Sequence, residues 1–442
     1  MKPYAIDLFC GAGGMSEGIL QAGFHILFSS DINESVEKTY TNRHKQLGYI
    51  QGKNTFFRRA DIRDLTGDSI KGDIASLEMF EGKGCPDIDA IFGGPPCQGF
   101  SRAGRRNPND PRNMLFKEYV RVIDQIRPKY VVVENVAGFI DMKLCDFKGH
   151  TGKLYKGDHT VPELLKSELT KIGYDMKLQI LNAADYGVPQ RRNRVIVLAN
   201  RKDVNPPDYP QPLTNDNPVS LQDAIGDLVR DSTIRASNLE NGYSQYQLDS
   251  RNGRTPDIEG NHISSESIMN DELPKHAELI MERFSLFEED EEGSELRERV
   301  RVNGIDLTPY PELVKHCSQS LEQTEDEVIA NYRAGNLSDE LLDVLLTKKS
   351  MRRKMSRDSP APTVVTMPDD YINPFEPRTF SVREMARLQS FDDSFEFLGK
   401  RTTGGLRRRV EIPQYSQVGN AVPPLLAKAI GLEVLKAIKS NN

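Results

Sequence analysis

Short apolar runs alternate with helical patterns through the first half of the chain, and this alternation restricts the fold more than any other feature. YAIDLF at 4–9 precedes a helical stretch from about Ser16 to Ala22, HILFSSD at 25–31 a helix from about Glu34, and IDAIFG at 88–93 a helix from about Met114 to Ile126. YVVVEN at 130–135 and NRVIVLAN at 193–200 complete the set. Strands alternating with helices predict an α/β fold with a parallel sheet covered on both faces. Ligands on such sheets bind beyond the carboxyl ends of the strands. The unusual residues fall there: Asp7 to Gly14, Asp31, Pro95 to Gln98, and Glu134-Asn135.

From about Val204 the pattern breaks into NPPDYPQPLTNDNP, and no regular alternation returns before about Ala361. Such a stretch is too long for a loop and reads as a second, irregular domain inserted in the first. Periodicity resumes at Ser381 to Phe391 and in PPLLAKAIGLEVLKAI, whose prolines suit a helix start. The expected division is a catalytic and cofactor-binding domain over 1–203, a second domain over 204–399 with its variable core at about 231–350, and a C-terminal return to the first domain over 400–442.

The net charge of −7 alone argues against a chain that coats a polyanion, but the charge is unevenly spread. Acid is concentrated at Glu288 to Glu292, and base at Arg102 to Arg106, Lys348 to Arg357 and Arg401 to Arg409, as in a cleft with basic walls on an acidic body. The 5 cysteines include no CxxC pair, so neither a disulfide framework nor a zinc site is expected, and no metal is called for. No apolar run reaches bilayer-spanning length and no secretory signal is visible, which makes a cytoplasmic protein without membrane association the expectation.

Several residues carry chemistry. Asp7-Leu8-Phe9-Cys10-Gly11-Ala12-Gly13-Gly14 follows a strand and opens a helix, so its glycines allow close backbone approach to a nucleotide-type cofactor. Asp31 ends the second strand, where a carboxylate reaches ribose hydroxyls. Cys97 follows two prolines on a stiff post-strand turn, with Arg102, Arg105 and Arg106 nearby to favour its thiolate or to bind phosphate. Glu134 ends an apolar strand, where a carboxylate needs a partner or ligand, and Gln190-Arg191-Arg192-Asn193-Arg194 leads into the next strand in the same way.

DLFCGAGG, GGPPCQGFS, ENV, QRRNRV and SQVGNAVPP occur in the order and approximate spacing of the cytosine-5 DNA methyltransferases. The chain resembles that family from end to end except between about 204 and 357. The resemblance implies a Rossmann-like sheet with an antiparallel last strand, a smaller irregular target-recognition domain inserted before the C-terminal helix, and that helix packed back beside the first strand. S-adenosylmethionine would be held by Asp7, Phe9, Gly11, Gly13, Ile32, Ile62, Pro95 and Ala421, with Asp31 on the ribose, Asp61 on the adenine amine and Asn420 beside the methionine end. S-adenosylhomocysteine would be the product. Cys97 would attack the 6-carbon of cytosine, Glu134 would contact ring nitrogen 3 and the exocyclic amine, and Arg192 and Arg194 would complete the catalytic group, Arg194 on the base carbonyl. Gln98, Ser101, Arg102, Arg105 and Arg106 would contact double-stranded DNA around a flipped-out base. The motif SVREMARLQSF is expected to be structural. A monomer paired in function with a nuclease or another defence component fits compact members of the family. A methyltransferase acting on transfer RNA and a catalytically silent paralogue are the competing readings.

Overall fold

Seven strands form one sheet in the order β3-β2-β1-β4-β5-β9-β8. They are β1 (Tyr4–Leu8), β2 (His25–Asp31), β3 (Phe56–Arg59), β4 (Ala90–Gly93), β5 (Tyr130–Val136), β8 (Tyr174–Asn182) and β9 (Asn193–Arg201), with β6 (Lys143–Lys148) and β7 (Leu154–Thr160) forming a separate hairpin between β5 and β8. The helices between them are α1 (Gly14–Gln21), α2 (Glu34–Gln46), α3 (Gly67–Ala75), α4 (Leu115–Ile126) and α5 (Val161–Lys171). The computed structural model describes residues 2–96, 114–214, 217–265, 267–347, 349–403 and 411–441.

β1 to β5 run parallel, and β9 is antiparallel to both β5 and β8. The order reverses between β1 and β4, which is where an open α/β sheet leaves a crevice for a ligand. The central strands have no polar face because helices cover both sides: Ile6, Ile91, Val131 and Ile196 are all fully buried. The expected strands are all present. β3, β8 and the β6–β7 hairpin are additions that the apolar pattern did not reveal.

The second half continues with α6 (Leu221–Ile225), α7 (Ser232–Asn238) and α8 (Gln245–Asn252), then five short helices: α9 (Glu278–Ser285), α10 (Gly293–Asn303), α11 (Pro311–Leu321), α12 (Glu325–Arg333) and α13 (Asp339–Leu345). After the two-residue strands β10 (Arg353–Lys354) and β11 (Tyr371–Ile372) come α14 (Val382–Leu388), α15 (Gln414–Asn420) and α16 (Pro424–Ser440). Within the segment read as irregular, residues 278–345 are thus largely helical. α9 to α13 enclose their own apolar cluster, including Phe284, Val300, Leu313, Val328 and Leu342. A second cluster joins α6, α8, α14 and α15 to Ala12 in the glycine turn after β1.

α16 returns to the first half and packs on α1. The approach is so close that a β-carbon on Gly18 would lie 2.4 Å from the Pro424 carbonyl oxygen and 2.5 Å from the Ala427 side chain. Buried arginines fasten the second half within itself, and one of them, Arg43, reaches across to it from the first by donating to Ser394 Oγ at 3.1 Å. Arg387 is paired with Asp227 at 2.5 Å and Asp393 at 2.7 Å, and Arg383 donates to the carbonyls of Met269, Asp392 and Phe395. Arg43 on α2 grips Glu17 on α1, which also accepts from Thr255 Oγ1 at 2.6 Å. SVREMARLQSF is therefore an internal clamp, as expected.

Candidate active site

The glycine turn after β1 is built for close approach. Phe9, Gly11 and Gly13 all have positive φ, at 58°, 54° and 101°, and Gly13 serves as the N-cap of α1. A β-carbon on Gly11 would meet nothing within 4 Å among the described residues, which leaves room there for a ligand. Asp31, at the end of β2, accepts from the Gly11 N–H at 3.1 Å and from Asn33 N–H at 2.9 Å, which fixes its carboxylate against the turn. Burial raises the Asp31 carboxyl above its usual range. Ile32 follows with its side chain 64% exposed, the behaviour of an apolar group left for a ligand to cover.

Asp7 lies beneath the turn. Its Oδ2 accepts from Ser16 Oγ at 2.5 Å, while buried Oδ1 has no hydrogen-bond partner among the described residues. Burial raises its carboxyl to about 7. The Ala60 N–H donates to the Asp31 carbonyl at 3.1 Å and brings Asp61 and Ile62 to the same edge. Asp61 is held by Arg63, whose guanidinium lowers its carboxyl, and Ile62 is buried. The segment after α15 closes the other side: a β-carbon on Gly14 would sit 2.2 Å from the Val422 carbonyl and 3.1 Å from the Ala421 side chain. Asn420 is exposed at the end of α15 beside this contact.

One step beyond the paired row Leu8–Gly93–Val133 come Phe9, Gly94 and Glu134, so three strand ends present their next residue in line. Glu134 Oε1 lies 2.8 Å from Arg194 Nε, with both side chains about nine-tenths buried. Asn135 Nδ2 donates to the Pro95 carbonyl at 3.0 Å and braces the Gly94-Pro95-Pro96 turn that leads toward Cys97. Arg192 is also buried, but its guanidinium points elsewhere: it donates to the carbonyls of Gly419 at 3.0 Å, Ala421 at 3.2 Å and Val364 at 3.3 Å. Burial and the nearby Arg194 charge lower its pKa well below the ordinary arginine range. Arg192 thus fastens the 419–421 segment to β9, while Arg194 faces Glu134.

Cys97, Gln98, Ser101, Arg102, Arg105 and Arg106 lie outside the described residues, as does most of the basic run at 401–409. The other basic run does not stand free. Arg353 pairs with Asp290 at 2.9 Å and Arg357 with Glu289 at 2.6 Å, so the acidic turn at 288–292 covers it. Two amides of the motifs, Gln190 and Gln389, act as braces. Gln190 accepts from the Val364 N–H at 2.8 Å and donates to the Leu388 carbonyl at 3.0 Å, and Gln389 donates to the Val418 carbonyl at 2.8 Å. Both are fully buried amides inside quoted motifs, and a buried polar side chain in a motif is the signal that marks such braces.

A Rossmann-like sheet with one antiparallel strand and a glycine turn at its switch point defines the class of S-adenosylmethionine-dependent methyltransferases. Comparison with known proteins narrows the class. The model of the C-5 cytosine-specific DNA methylases matches residues 4–436. The Type II methyltransferase M.DdeI of Desulfomicrobium norvegicum is 31% identical over 96% of this chain and 86% of its own, and M.XorII of Xanthomonas oryzae pv. oryzae is 30% identical over 99% and 86%. Among solved structures, a chain described as a prophage-encoded DNA modification methyltransferase of E. coli superposes with a TM-score of 0.62 at 20% identity, covering 99% of this chain and all of that one. The chain belongs to the C-5 cytosine-specific DNA methylase family and is a DNA (cytosine-5-)-methyltransferase with S-adenosylmethionine as methyl donor. The orphaned Asp7 Oδ1, the open Gly11 position and the uncovered Ile32 fit that cofactor. Among the described residues, no helix is long and apolar enough to cross a membrane and no cluster of His, Cys, Asp and Glu is arranged to hold a metal.

Proposed function

We propose that the protein methylates the 5-carbon of a flipped-out cytosine at a specific sequence in double-stranded DNA, through a covalent adduct with Cys97. The observation that carries this reading is the Glu134–Arg194 pair at 2.8 Å, set beside the braced Gly94-Pro95-Pro96 turn. The 5-carbon of cytosine is a poor nucleophile. Addition of the Cys97 thiolate to the 6-carbon forms a carbon–sulfur bond and sends electron density toward ring nitrogen 3, leaving an enamine nucleophilic at the 5-carbon. Glu134 holds a proton or hydrogen bond at nitrogen 3 and meets the exocyclic amine, with Arg194 fixing its carboxylate and reaching the base carbonyl. S-adenosylmethionine supplies the methyl group as an electrophile on a sulfonium. Loss of the 5-proton to a base then breaks the carbon–sulfur bond and frees Cys97.

In this reading Asp7, Phe9, Gly11, Gly13, Asp31, Ile32, Asp61, Ile62, Pro95, Asn420 and Ala421 hold the cofactor, and Arg192 acts as a positioning residue through the 419–421 carbonyls. Residues 204–399 serve as the target-recognition domain, and Gln98, Ser101, Arg102, Arg105 and Arg106 contact DNA as the base leaves the stack, a step worth roughly a few kcal/mol. The monomer marks host DNA against a partner nuclease in a restriction or other anti-phage system. A duplex carrying 5-fluorocytosine at the target tests the chemistry, since its 5-position has no proton to lose: a mobility-shifted adduct is expected with the native protein and cofactor and none with Cys97→Ser. Bisulfite sequencing of an expressing host identifies the target. Methylation that survives Cys97→Ser, or label appearing in transfer RNA and not in duplex DNA, overturns the proposal.

A further inference from the structure

The loop that follows β3 carries Asp61 and Ile62, and its backbone is held from several sides. From α4, Arg121 donates to the Ile62 carbonyl and to the Leu65 carbonyl, each at 2.7 Å. Within the loop, the Asp64 N–H donates to the Asp61 carbonyl at 2.9 Å and the Leu65 N–H to the Ile62 carbonyl at 3.2 Å. The Ala60 N–H is bonded to the Asp31 carbonyl at 3.1 Å, which ties the loop to the end of β2. None of these bonds involves the side chain of Arg63, so the loop keeps its course without it.

That side chain is spent on one carboxylate. Arg63 Nε donates to Asp61 Oδ1 at 2.9 Å and Nη2 donates to Oδ2, while the Arg63 backbone N–H donates to Oδ1 at 2.9 Å. An ionised carboxylate offers about four lone-pair positions. Among the described residues three are filled, two at Oδ1 and one at Oδ2, so a single acceptor position stays open, on Oδ2. The Arg63 side chain is 63% exposed, and an ion pair so exposed adds little to the stability of the fold. Its effect is directional. An aspartate carboxylate on its own turns broadly about its last torsion, whereas the planar guanidinium fork fixes the plane in which the two oxygens lie. Ile32, 64% exposed after the end of β2, offers apolar surface for a ring at the same edge of the sheet.

We propose that Arg63 is a positioning residue: by filling the other acceptor positions of Asp61 it leaves one, aimed at the 6-amino group of the cofactor's adenine, and so sets the preference for adenine over a purine that lacks this amine. The inference rests on the proposed role of Asp61 in holding the cofactor. Arg63 touches neither the methyl group nor the target base in this account. Its loss therefore weakens cofactor binding and leaves the chemical step alone.

The test is isothermal titration of S-adenosylhomocysteine, and of its 6-deamino analogue with purine in place of adenine, into the native protein, Arg63→Ala and Asp61→Ala. Arg63→Ala weakens S-adenosylhomocysteine roughly three- to fivefold, the range of one exposed ionic contact, and leaves the analogue unchanged. In steady-state assays the same variant raises KM for S-adenosylmethionine by a similar factor at native kcat. Asp61→Ala removes the preference for the amine altogether. If Asp61→Ala shows no loss specific to the amine, adenine is not held at Asp61, and that placement falls together with the proposal. If Asp61→Ala loses the preference while Arg63→Ala keeps it, the placement of adenine stands and the role of Arg63 is overturned. Equal weakening of both ligands by Arg63→Ala overturns it too, since a general disturbance of the loop does not tell one purine from the other.

Discussion

Gly94→Ala isolates the placement of Glu134 from the stability of the fold. Gly94 has no positive φ, so alanine is compatible with the backbone itself. Its new β-carbon would lie 3.2 Å from Glu134 Oε2 and 3.6 Å from the Glu134 carbonyl. The second distance is ordinary contact, so the strand stays. The first is too tight by a few tenths of an ångström, and Glu134 cannot swing away freely because Oε1 is held by Arg194 at 2.8 Å. The carboxylate must rotate or lengthen that ion pair. Displacements well under 1 Å at a reacting group correspond to roughly ten- to a hundredfold in rate, about 1.4–2.8 kcal/mol of transition-state stabilisation. Single-turnover transfer of labelled methyl to a target duplex reads this loss, with S-adenosylhomocysteine affinity and Tm measured alongside. The expected pattern is a slower chemical step with both controls close to native. A rate within twofold of native would refute the claim that the Gly94 surface sets the Glu134 position, and a collapse in Tm would show that the strand had moved instead.

Arg192→Met and Arg194→Met should separate: loss of the Arg192 bonds to the Gly419 and Ala421 carbonyls raises KM for S-adenosylmethionine, while loss of the Glu134 partner lowers kcat. Steady-state kinetics with both substrates varied decides this, and identical effects from the two changes would remove the distinction. Asp7 predicts a pH effect opposite to that of most carboxylates. Its folded carboxyl is raised to about 7, so between the unfolded value and about 7 the folded state holds the extra proton and stability falls as pH rises, by up to about 4 kcal/mol. Cofactor-free Asp7→Asn should therefore gain Tm over the native protein as pH is raised from 5 to 8, and a constant difference across that range contradicts it. Arg387→Met strands Asp393 without its buried partner and should lower unfolding free energy by about 3–5 kcal/mol in urea titrations, against under 1 kcal/mol if the clamp is dispensable.

The parts of the fold that could be read from sequence are those where burial on both faces forces a continuous apolar run, as in YVVVEN and NRVIVLAN. β3 reads FFRR and β8 reads YDMKLQILN because both are edge strands with charged residues toward solvent. Helices α9 to α13 escaped because each is only 7–11 residues long and buries few positions, although Thr324 with Glu327 forms a capping box that marks a helix start. In the site, Glu134 and Arg194 were legible as polar residues at the ends of apolar strands. That Arg192 turns toward the C-terminal segment was not, since alternation along an extended chain puts residues 192 and 194 on one face, and their guanidiniums diverge only through partners distant in sequence, the Gly419 and Ala421 carbonyls for Arg192 and Glu134 for Arg194.

The charge distribution resolves what the net charge obscured. Between Glu278 and Leu346 acidic residues outnumber basic ones 18 to 6, so the rest of the chain carries a net +5 against the total of −7. Acid is segregated into the helices α9 to α13, and the body that bears the site is basic, which suits a polyanionic substrate. The run at 349–357 adds little to that field because Arg353 and Arg357 are engaged by Asp290, Glu292 and Glu289, and the Lys354 N–H is bonded to the Glu291 carbonyl at 3.0 Å. Each lysine or arginine that meets a phosphate contributes about 0.9 to the slope of log affinity against log salt. Arg353→Gln with Arg357→Gln should then leave the slope for duplex binding unchanged and show its effect in stability. A slope reduced by about two would mean that DNA displaces the acidic turn and takes both arginines, and the turn at 288–292 would have to be regarded as a stand-in for phosphate.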